Sequence, residues 1–85
     1  MNDGSIPVVI TSSDEVVWQG QAESLSAENS SGKFDVLPEH ANFVTIINPN
    51  TPIVIRTVDK NALVFTYKDA VLAVKGGRVD VYVNI

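Results

Sequence analysis

His40 is the only histidine of the chain and the first residue to test for chemistry. A metal site needs several ligands, and no second histidine is present to share one. Glu39 is adjacent to His40, and neighbouring side chains on a strand point to opposite faces, so the pair would not chelate an ion there. We therefore expect no metal site. The ring of His40 is expected to cap a turn or to bond the backbone, with a place in a protein interface as the alternative.

The remaining reactive residue types also lack a catalytic arrangement. The chain has no cysteine, which excludes a disulfide framework, a thiolate nucleophile and a cysteine zinc site. No serine stands in a Gly-x-Ser-x-Gly elbow. Gly76-Gly77 is not followed by the Gly-Lys-Ser/Thr of a phosphate-binding loop. The sequence therefore predicts a protein that is not an enzyme, with no cofactor and no small-molecule substrate.

Composition and charge narrow the class of protein further. With 85 residues, 45% of them hydrophobic, the chain is long enough for one core and too apolar for a disordered protein. The net charge is −4 and the six basic residues are scattered, which argues against a nucleic-acid partner. No apolar run is long enough to span a bilayer and no signal peptide is recognisable, so direct membrane insertion is not expected.

The dominant pattern is an alternation of apolar and polar residues with period two, which predicts strands. Val79, Val81 and Val83 share one face, and Gly76-Gly77 links this strand to the preceding one, Ala70 to Lys75, in a tight hairpin. The segments rich in β-branched and aromatic residues that precede it are read the same way. The further predicted strands are Ile6–Thr11, Glu15–Gln19, Gln21–Ala27, Lys33–Leu37, Pro52–Val58 and Ala62–Tyr67.

Three details of this reading are specific enough to test. Gly20 is expected to permit a bend or bulge between two strands. After it, one face is expected to carry Ala22, Ser24 and Ser26, and the other face Glu23, Leu25 and Ala27. Trp18 is expected to anchor the core between two sheets, with an exposed binding role as the alternative.

Residues 38–51 are compatible with a helix or with a strand over 43–47, and the β-branched residues favour the strand. The total of about nine short strands predicts an all-β sandwich or flattened barrel, as a single domain over residues 1–85.

One ordered set of motifs resembles a known family. The segment Gly32-Lys33-Phe34-Asp35-Val36-Leu37-Pro38-Glu39-His40-Ala41, followed by Thr45 and Pro49, is similar to a segment of the epsilon subunit (delta in mitochondria) of F-type ATP synthases. Val16-Val17-Trp18-Gln19-Gly20, Ala22-Glu23-Ser24-Leu25-Ser26-Ala27 and the last hairpin also agree with it. The resemblance implies the family's N-terminal domain, a roughly ten-stranded antiparallel β-sandwich.

This resemblance implies a function and a set of contacts. It implies a non-catalytic central-stalk subunit of a rotary, proton-translocating ATP synthase that couples the gamma subunit to the c-ring. Such a protein is peripheral, on the cytoplasmic face of the bacterial plasma membrane or its mitochondrial or plastid equivalent. By the resemblance, Ser12, His40 and Thr45 face gamma, whereas the loop of Gly32, Lys33 and Phe34 faces the c-ring. The alternative is a stand-alone β-sandwich module that binds a protein or a glycan through exposed aromatic residues.

The departures from the family's pattern carry expectations of their own. Asp35 and Glu39 stand where the family has glycine, so each is expected to be strained by about 1 kcal/mol if its backbone has positive φ. The family's C-terminal helical hairpin is absent from these 85 residues. Because that hairpin carries ATP sensing and inhibition in the family, coupling without autoinhibition and without nucleotide binding is expected.

Overall fold

The predicted strands are present, but there are fewer of them and the second is longer than predicted. A computed structural model describes residues 4–85 and contains no helix there, so the strand alternative for residues 43–47 is confirmed. There are eight strands, where the alternation predicted nine and the resemblance implied ten. The strands are β1 Ile6–Thr11, β2 Val16–Asn29, β3 Gly32–Val36, β4 Phe43–Ile46, β5 Pro52–Thr57, β6 Ala62–Thr66, β7 Ala70–Lys75 and β8 Arg78–Val83.

The count falls because β2 is one continuous strand of 14 residues. Its first half pairs with β1, its second half pairs with β3 on the same side, and β5 pairs on the other side from Ala22 onward. This long strand therefore passes from one layer of the fold into the other. The connection between β2 and β3 is only a turn at Ser30 and Ser31, because the two strands pair as a hairpin as far as Asn29 and Gly32.

All eight strands belong to one sheet that folds over a single core. The hydrogen-bonded order is β4-β7-β8-β1-β2-β5-β6, with β3 paired to β2, and every pair is antiparallel except the parallel pair of β1 and β8. The first layer contains β4, β7, β8, β1 and the first half of β2. The second contains β3, the rest of β2, β5 and β6. Inward residues of both layers, such as Val8, Val81, Leu25 and Ile55, form one buried cluster, which is the packing of a β-sandwich.

The irregularities of β2 lie at Val17 and Glu23. Against β1 the register shifts at Val17, because Ile10 pairs with Trp18 while Thr11 pairs with Val16. The register against β5 shifts between Ala22 and Ser24. Each extra residue reverses the inward and outward alternation of the strand.

The second shift overturns one prediction of the sequence analysis. Ala22 and Leu25 both point into the core, and Ser24 does not share the face of Ala22. The expected bulge at Gly20 is also wrong, because Gly20 pairs in register with Val8.

Gly20 serves a different purpose, which is to leave room for Trp18. The two residues lie on the same inward face, and a Cβ added to Gly20 would lie 2.8 Å from Cζ2 of the Trp18 ring. Trp18 packs against the core and lies 6.4 Å, centroid to centroid, from Phe65 in the facing layer. The core-anchor interpretation of Trp18 is therefore confirmed.

Candidate protein-docking site

The outer face of the first layer carries a mainly apolar row of exposed and half-buried side chains that crosses five strands, with Thr11 as its one polar member. The pairing of the strands places its members side by side, in the order Ile46, Val71, Tyr82, Thr11 and Val16. Ile46 is 73% exposed and Tyr82 is 43% exposed. Isolated exposed apolar residues are ordinary on protein surfaces, but a contiguous row indicates a binding surface. We call this row and its apolar neighbours Val44, Ala73 and Val9 the outer apolar face.

Within the strands of this layer, charged residues lie only towards the opposite end, whereas Asp14 and Glu15 are exposed in the β1–β2 turn. The next row runs through Val44, Ala73, Asp80, Val9 and Gln19. Beyond it Lys75 pairs with Arg78, whose guanidinium donates to Asp80 Oδ1 over 2.9 Å from Nη2. The outer surface of this layer therefore changes from apolar at the end near Ser12 to charged at the other end.

The outer face of the second layer is mixed, because Val54 and Val64 lie side by side on it among polar side chains. Ser26 Oγ donates to Asp35 Oδ1 over 2.6 Å and accepts from Arg56 Nη1 over 3.3 Å. Lys60 Nζ lies 2.6 Å from Glu23 Oε2, and both side chains are largely solvated, so this ion pair adds little stability. The apolar surface of the first layer is broader, which makes the outer apolar face the docking surface that the geometry favours.

The residues predicted to face gamma do not form one cluster. Ser12 follows β1 and binds the carbonyl oxygen of Glu15 through its backbone N–H and its hydroxyl. Thr45 lies on β4, three strand spacings or about 14 Å away across β8 and β7. The two positions therefore flank the outer apolar face, although Thr45 itself points inward, where its hydroxyl oxygen accepts from Asn29 Nδ2 over 2.9 Å.

His40 lies apart from both, in the turn before β4. Its backbone N–H donates to the Leu37 carbonyl, and its Nδ1 lies 2.7 Å from the Ala41 carbonyl oxygen, which requires Nδ1 to carry the proton. The ring packs on Phe43, with centroids 4.9 Å apart. The structural interpretation of His40 as a turn-binding side chain is confirmed, and its contact with gamma stays a prediction.

The three residues predicted to face the c-ring lie on the β2–β3 hairpin but point in different directions. Gly32 has a φ of 117°, which glycine adopts without strain. Lys33 is exposed next to the turn, whereas Phe34 points inward and meets Phe43 edge to face with centroids 5.7 Å apart. Lys33 is thus the one of the three whose side chain is exposed to solvent.

Of the two residues that stand where the family has glycine, only Glu39 has the positive φ that causes strain. Glu39 has a φ of 69°, in the left-handed region, whereas Asp35 lies within β3 and does not have a positive φ. Glu39 therefore carries the backbone cost of a non-glycine residue there, and Asp35 does not.

The outer apolar face was not predicted from the sequence, although two of its strands carry an unusual apolar pattern. The run from Ala70 to Val74 is apolar at every position, and Phe43 to Ile46 is nearly so. A strand with one solvated face alternates, whereas a strand covered on both faces reads as a continuous apolar run. The loss of alternation in β4 and β7 therefore indicates that a second surface covers these strands.

The aromatic residues do not form a platform for a glycan. Trp18 and Tyr67 pack against the core, whereas Tyr82 lies on the outer apolar face. Burial raises the pKa of Tyr67 above its ordinary value of 10.0. Stacking on a sugar needs neighbouring exposed rings, so these three side chains do not support the glycan alternative.

Within residues 4–85, no buried side-chain nitrogen or oxygen atom lacks a hydrogen-bond partner. No group of three or more histidine, aspartate or glutamate side chains is positioned to hold a metal ion within that range. A cleft of about 410 Å³ is lined by Trp18 and Leu63 together with the β5–β6 turn. In that turn the Thr57 hydroxyl donates to Asp59 and accepts from the backbone N–H of Asn61, so the cleft holds no convergent set of unpaired donors. Across the described chain, no helix has the length and apolar character that a membrane crossing requires.

Comparison with known proteins gives consistent matches over almost the whole chain. The family described as the ATP synthase delta/epsilon chain, beta-sandwich domain, matches residues 5–85. The ATP synthase epsilon chain of Corynebacterium glutamicum is 28% identical over 76 residues, which is 89% of this chain and 61% of that protein. The corresponding protein of Corynebacterium aurimucosum is 29% identical over 76 residues, with 89% and 62% covered. The chain thus spans about three fifths of the length of these curated relatives.

Solved structures show the same fold at lower identity. A chain of the Euglena gracilis mitochondrial ATP synthase, in its OSCP/F1/c-ring assembly, matches with a TM-score of 0.86 at 18% identity, covering 98% of this chain and 52% of that chain. A chain of the central stalk and c-ring of the Tetrahymena thermophila mitochondrial ATP synthase matches with a TM-score of 0.73 at 12% identity, covering 91% and 61%.

Proposed function

The chain belongs to the family of the ATP synthase delta/epsilon chain beta-sandwich domain, and on that basis we propose that it is a non-catalytic central-stalk subunit of a rotary, proton-translocating ATP synthase. In this role it holds the gamma subunit on one surface and contacts the c-ring with another, so that rotation of the ring turns the stalk. It is bound peripherally to the membrane through these partners, on the cytoplasmic face in a bacterium.

The observation that carries the proposal is the outer apolar face. Its row from Ile46 to Val16 crosses five strands, a width of about 19 Å at the usual strand spacing. Exposed aliphatic and aromatic side chains over that width suit a permanent partner, because obligate interfaces are more apolar than transient ones. Ser12 and Thr45, the positions that the family resemblance assigns to gamma, flank this face. Gamma is therefore the partner proposed for it.

The proposed contact with the c-ring is made by the β2–β3 hairpin. Lys33 projects next to the turn and pairs across the hairpin with Glu28. A single exposed ammonium group suits the carbonyl and carboxylate oxygens of a polar loop. Gly32 and Phe34 serve this contact by closing the turn and by holding the strand against β4.

One pair of variants tests the docking of gamma. Ile46→Asp places a carboxylate in the outer apolar face and should abolish co-purification with gamma, since a buried unpaired charge at an interface costs several kcal/mol. Val64→Asp is the matched control, because Val64 is 63% exposed but lies on β6 in the other layer. If Val64→Asp weakens binding and Ile46→Asp does not, the assignment of the docking face is wrong. If the wild-type chain does not bind gamma, the proposed function is wrong.

A further inference from the structure

The edges of the two layers meet where β3 faces β4, and backbone pairing does not join them. Within residues 4–85, β3 pairs only with β2, and β4 pairs only with β7. Side chains and the segment that follows β4 therefore hold the two strands together. Of these strands, β3 presents Lys33 and β4 carries the edge of the outer apolar face.

Asn29 makes the most direct of these links. It is the last residue of β2 and lies opposite Gly32 across the hairpin. Its Oδ1 accepts from the backbone N–H of Ser31 over 2.9 Å, which orders the turn. Its Nδ2 donates to Thr45 Oγ1 over 2.9 Å, which reaches β4. One amide group thus binds the tip of the hairpin and the facing layer at the same time.

Two further contacts support the same junction. The backbone N–H of Asn48 donates to the Glu28 carbonyl over 2.8 Å, and Asn48 Nδ2 donates to the Asn29 carbonyl over 3.0 Å. Phe34 packs edge to face on Phe43 on the inner side. Asn29 and Thr45 are both half-buried, so their hydrogen bond is partly protected from competing water.

We propose that the Asn29–Thr45 hydrogen bond is a latch that makes the β2–β3 hairpin and β4 open and close together. Asn29 is a positioning residue in this inference, because it acts on Lys33 through the turn and on the outer apolar face through Thr45. Thr45 lies between Val44 and Ile46, the two most exposed apolar residues of β4. A partner that immobilises those two side chains also restrains the Thr45 hydroxyl.

Under the proposed function, on which this second step rests, the latch couples the two interfaces. Gamma bound to the outer apolar face reduces the opening of the hairpin that meets the c-ring. By thermodynamic linkage, a partner that fixes the hairpin strengthens the binding of gamma by the same factor.

Amide hydrogen exchange of the protein alone tests the latch. Asn29→Ser keeps a side-chain oxygen that can accept from the Ser31 backbone N–H but is too short to reach Thr45, and Thr45→Val loses the acceptor with little change of shape. Each variant should raise exchange about fivefold in both Gly32–Val36 and Phe43–Ile46, the equivalent of one net hydrogen bond. The double variant should exchange no faster than Asn29→Ser alone, since the two residues share one interaction.

Matched controls separate the latch from general effects of side-chain size and polarity. Asn61→Ser makes the same change in the exposed β5–β6 turn, and Thr66→Val makes the same change on β6. Both should leave exchange in β3 and β4 unchanged. The latch is refuted if exchange rises only in the strand that carries each substitution, or if the effects of Asn29→Ser and Thr45→Val multiply.

A second measurement, with purified gamma, separates the latch from the proposed function. Gamma should slow exchange at Gly32–Val36 in the wild-type chain, and this protection should fall about fivefold in Asn29→Ser. Equal protection in both would overturn the coupling. A wild-type chain that does not bind gamma would remove the docking function, while the exchange of the free protein would still decide whether the latch exists.

Discussion

Replacing Gly20 by alanine gives the sharpest test of how the sandwich packs. The added Cβ would lie 2.8 Å from Cζ2 and 3.0 Å from Cη2 of Trp18, closer than carbon atoms approach in folded proteins. The ring has little freedom to withdraw, because it packs against the core and lies beside Phe65. Gly20 itself is held in register by its pairing with Val8, so its backbone does not readily shift.

Two effects of opposite sign set the magnitude. Overpacking a core position typically costs about 1–3 kcal/mol. Against this, a glycine without positive φ gains about 0.4–1 kcal/mol on becoming alanine, because the unfolded chain loses freedom. The net expectation is a loss of about 1.5 kcal/mol in the free energy of unfolding, or roughly 6–12 °C in Tm for a domain of this size.

Urea unfolding followed by far-UV circular dichroism measures this change, and a second background reveals its cause. In Trp18→Leu the ring is gone, so Gly20→Ala should there become stabilising by about 0.5 kcal/mol. The wild-type background also allows tryptophan fluorescence, since Trp18 is the only tryptophan. Gly20→Ala that is neutral or stabilising in the wild type, or equally destabilising in both backgrounds, would refute the close approach of ring and backbone.

Three further predictions concern the core, the backbone and the alkaline limit of stability. Leu25→Ala, at a fully buried position between β3 and β5, should lower the free energy of unfolding by about 3 kcal/mol in urea titrations. Glu39→Gly should raise the free energy of unfolding by about 1 kcal/mol, because glycine adopts the positive φ of this position without strain. Asp35→Gly should lower it, because Asp35 accepts a hydrogen bond from Ser26 and lies in a strand. Calorimetry that reverses this order would contradict the backbone assignment. Because folding raises the pKa of Tyr67, the unfolded chain ionises first, so stability should hold below about pH 10 and fall above it; Tyr67→Phe should reduce that fall in urea midpoints measured from about pH 8 to pH 11.

The candidate site shows how far local sequence can reach. The continuous apolar run of β7 already indicates that both its faces are covered, but it does not tell which strands lie beside it. The row of Ile46, Val71, Tyr82, Thr11 and Val16 joins residues far apart in the chain, and it exists only because β1 pairs in parallel with β8. The likeness to a family marked Thr45 as a contact, whereas the fold turns its hydroxyl inward to Asn29.

Local sequence pattern, meaning alternation together with β-branched content and the Gly-Gly turn, was sufficient to predict the all-β class, seven of the strand positions and the Gly76-Gly77 hairpin, because each of these depends on neighbours within a few residues. The continuity of β2, the parity changes at Val17 and Glu23 and the contact of Trp18 with Gly20 were decided by the tertiary structure. A strand that passes between two layers must change which side faces the core. The strands that pair on either side of it impose that change, and the positions of those strands cannot be inferred from its own residues.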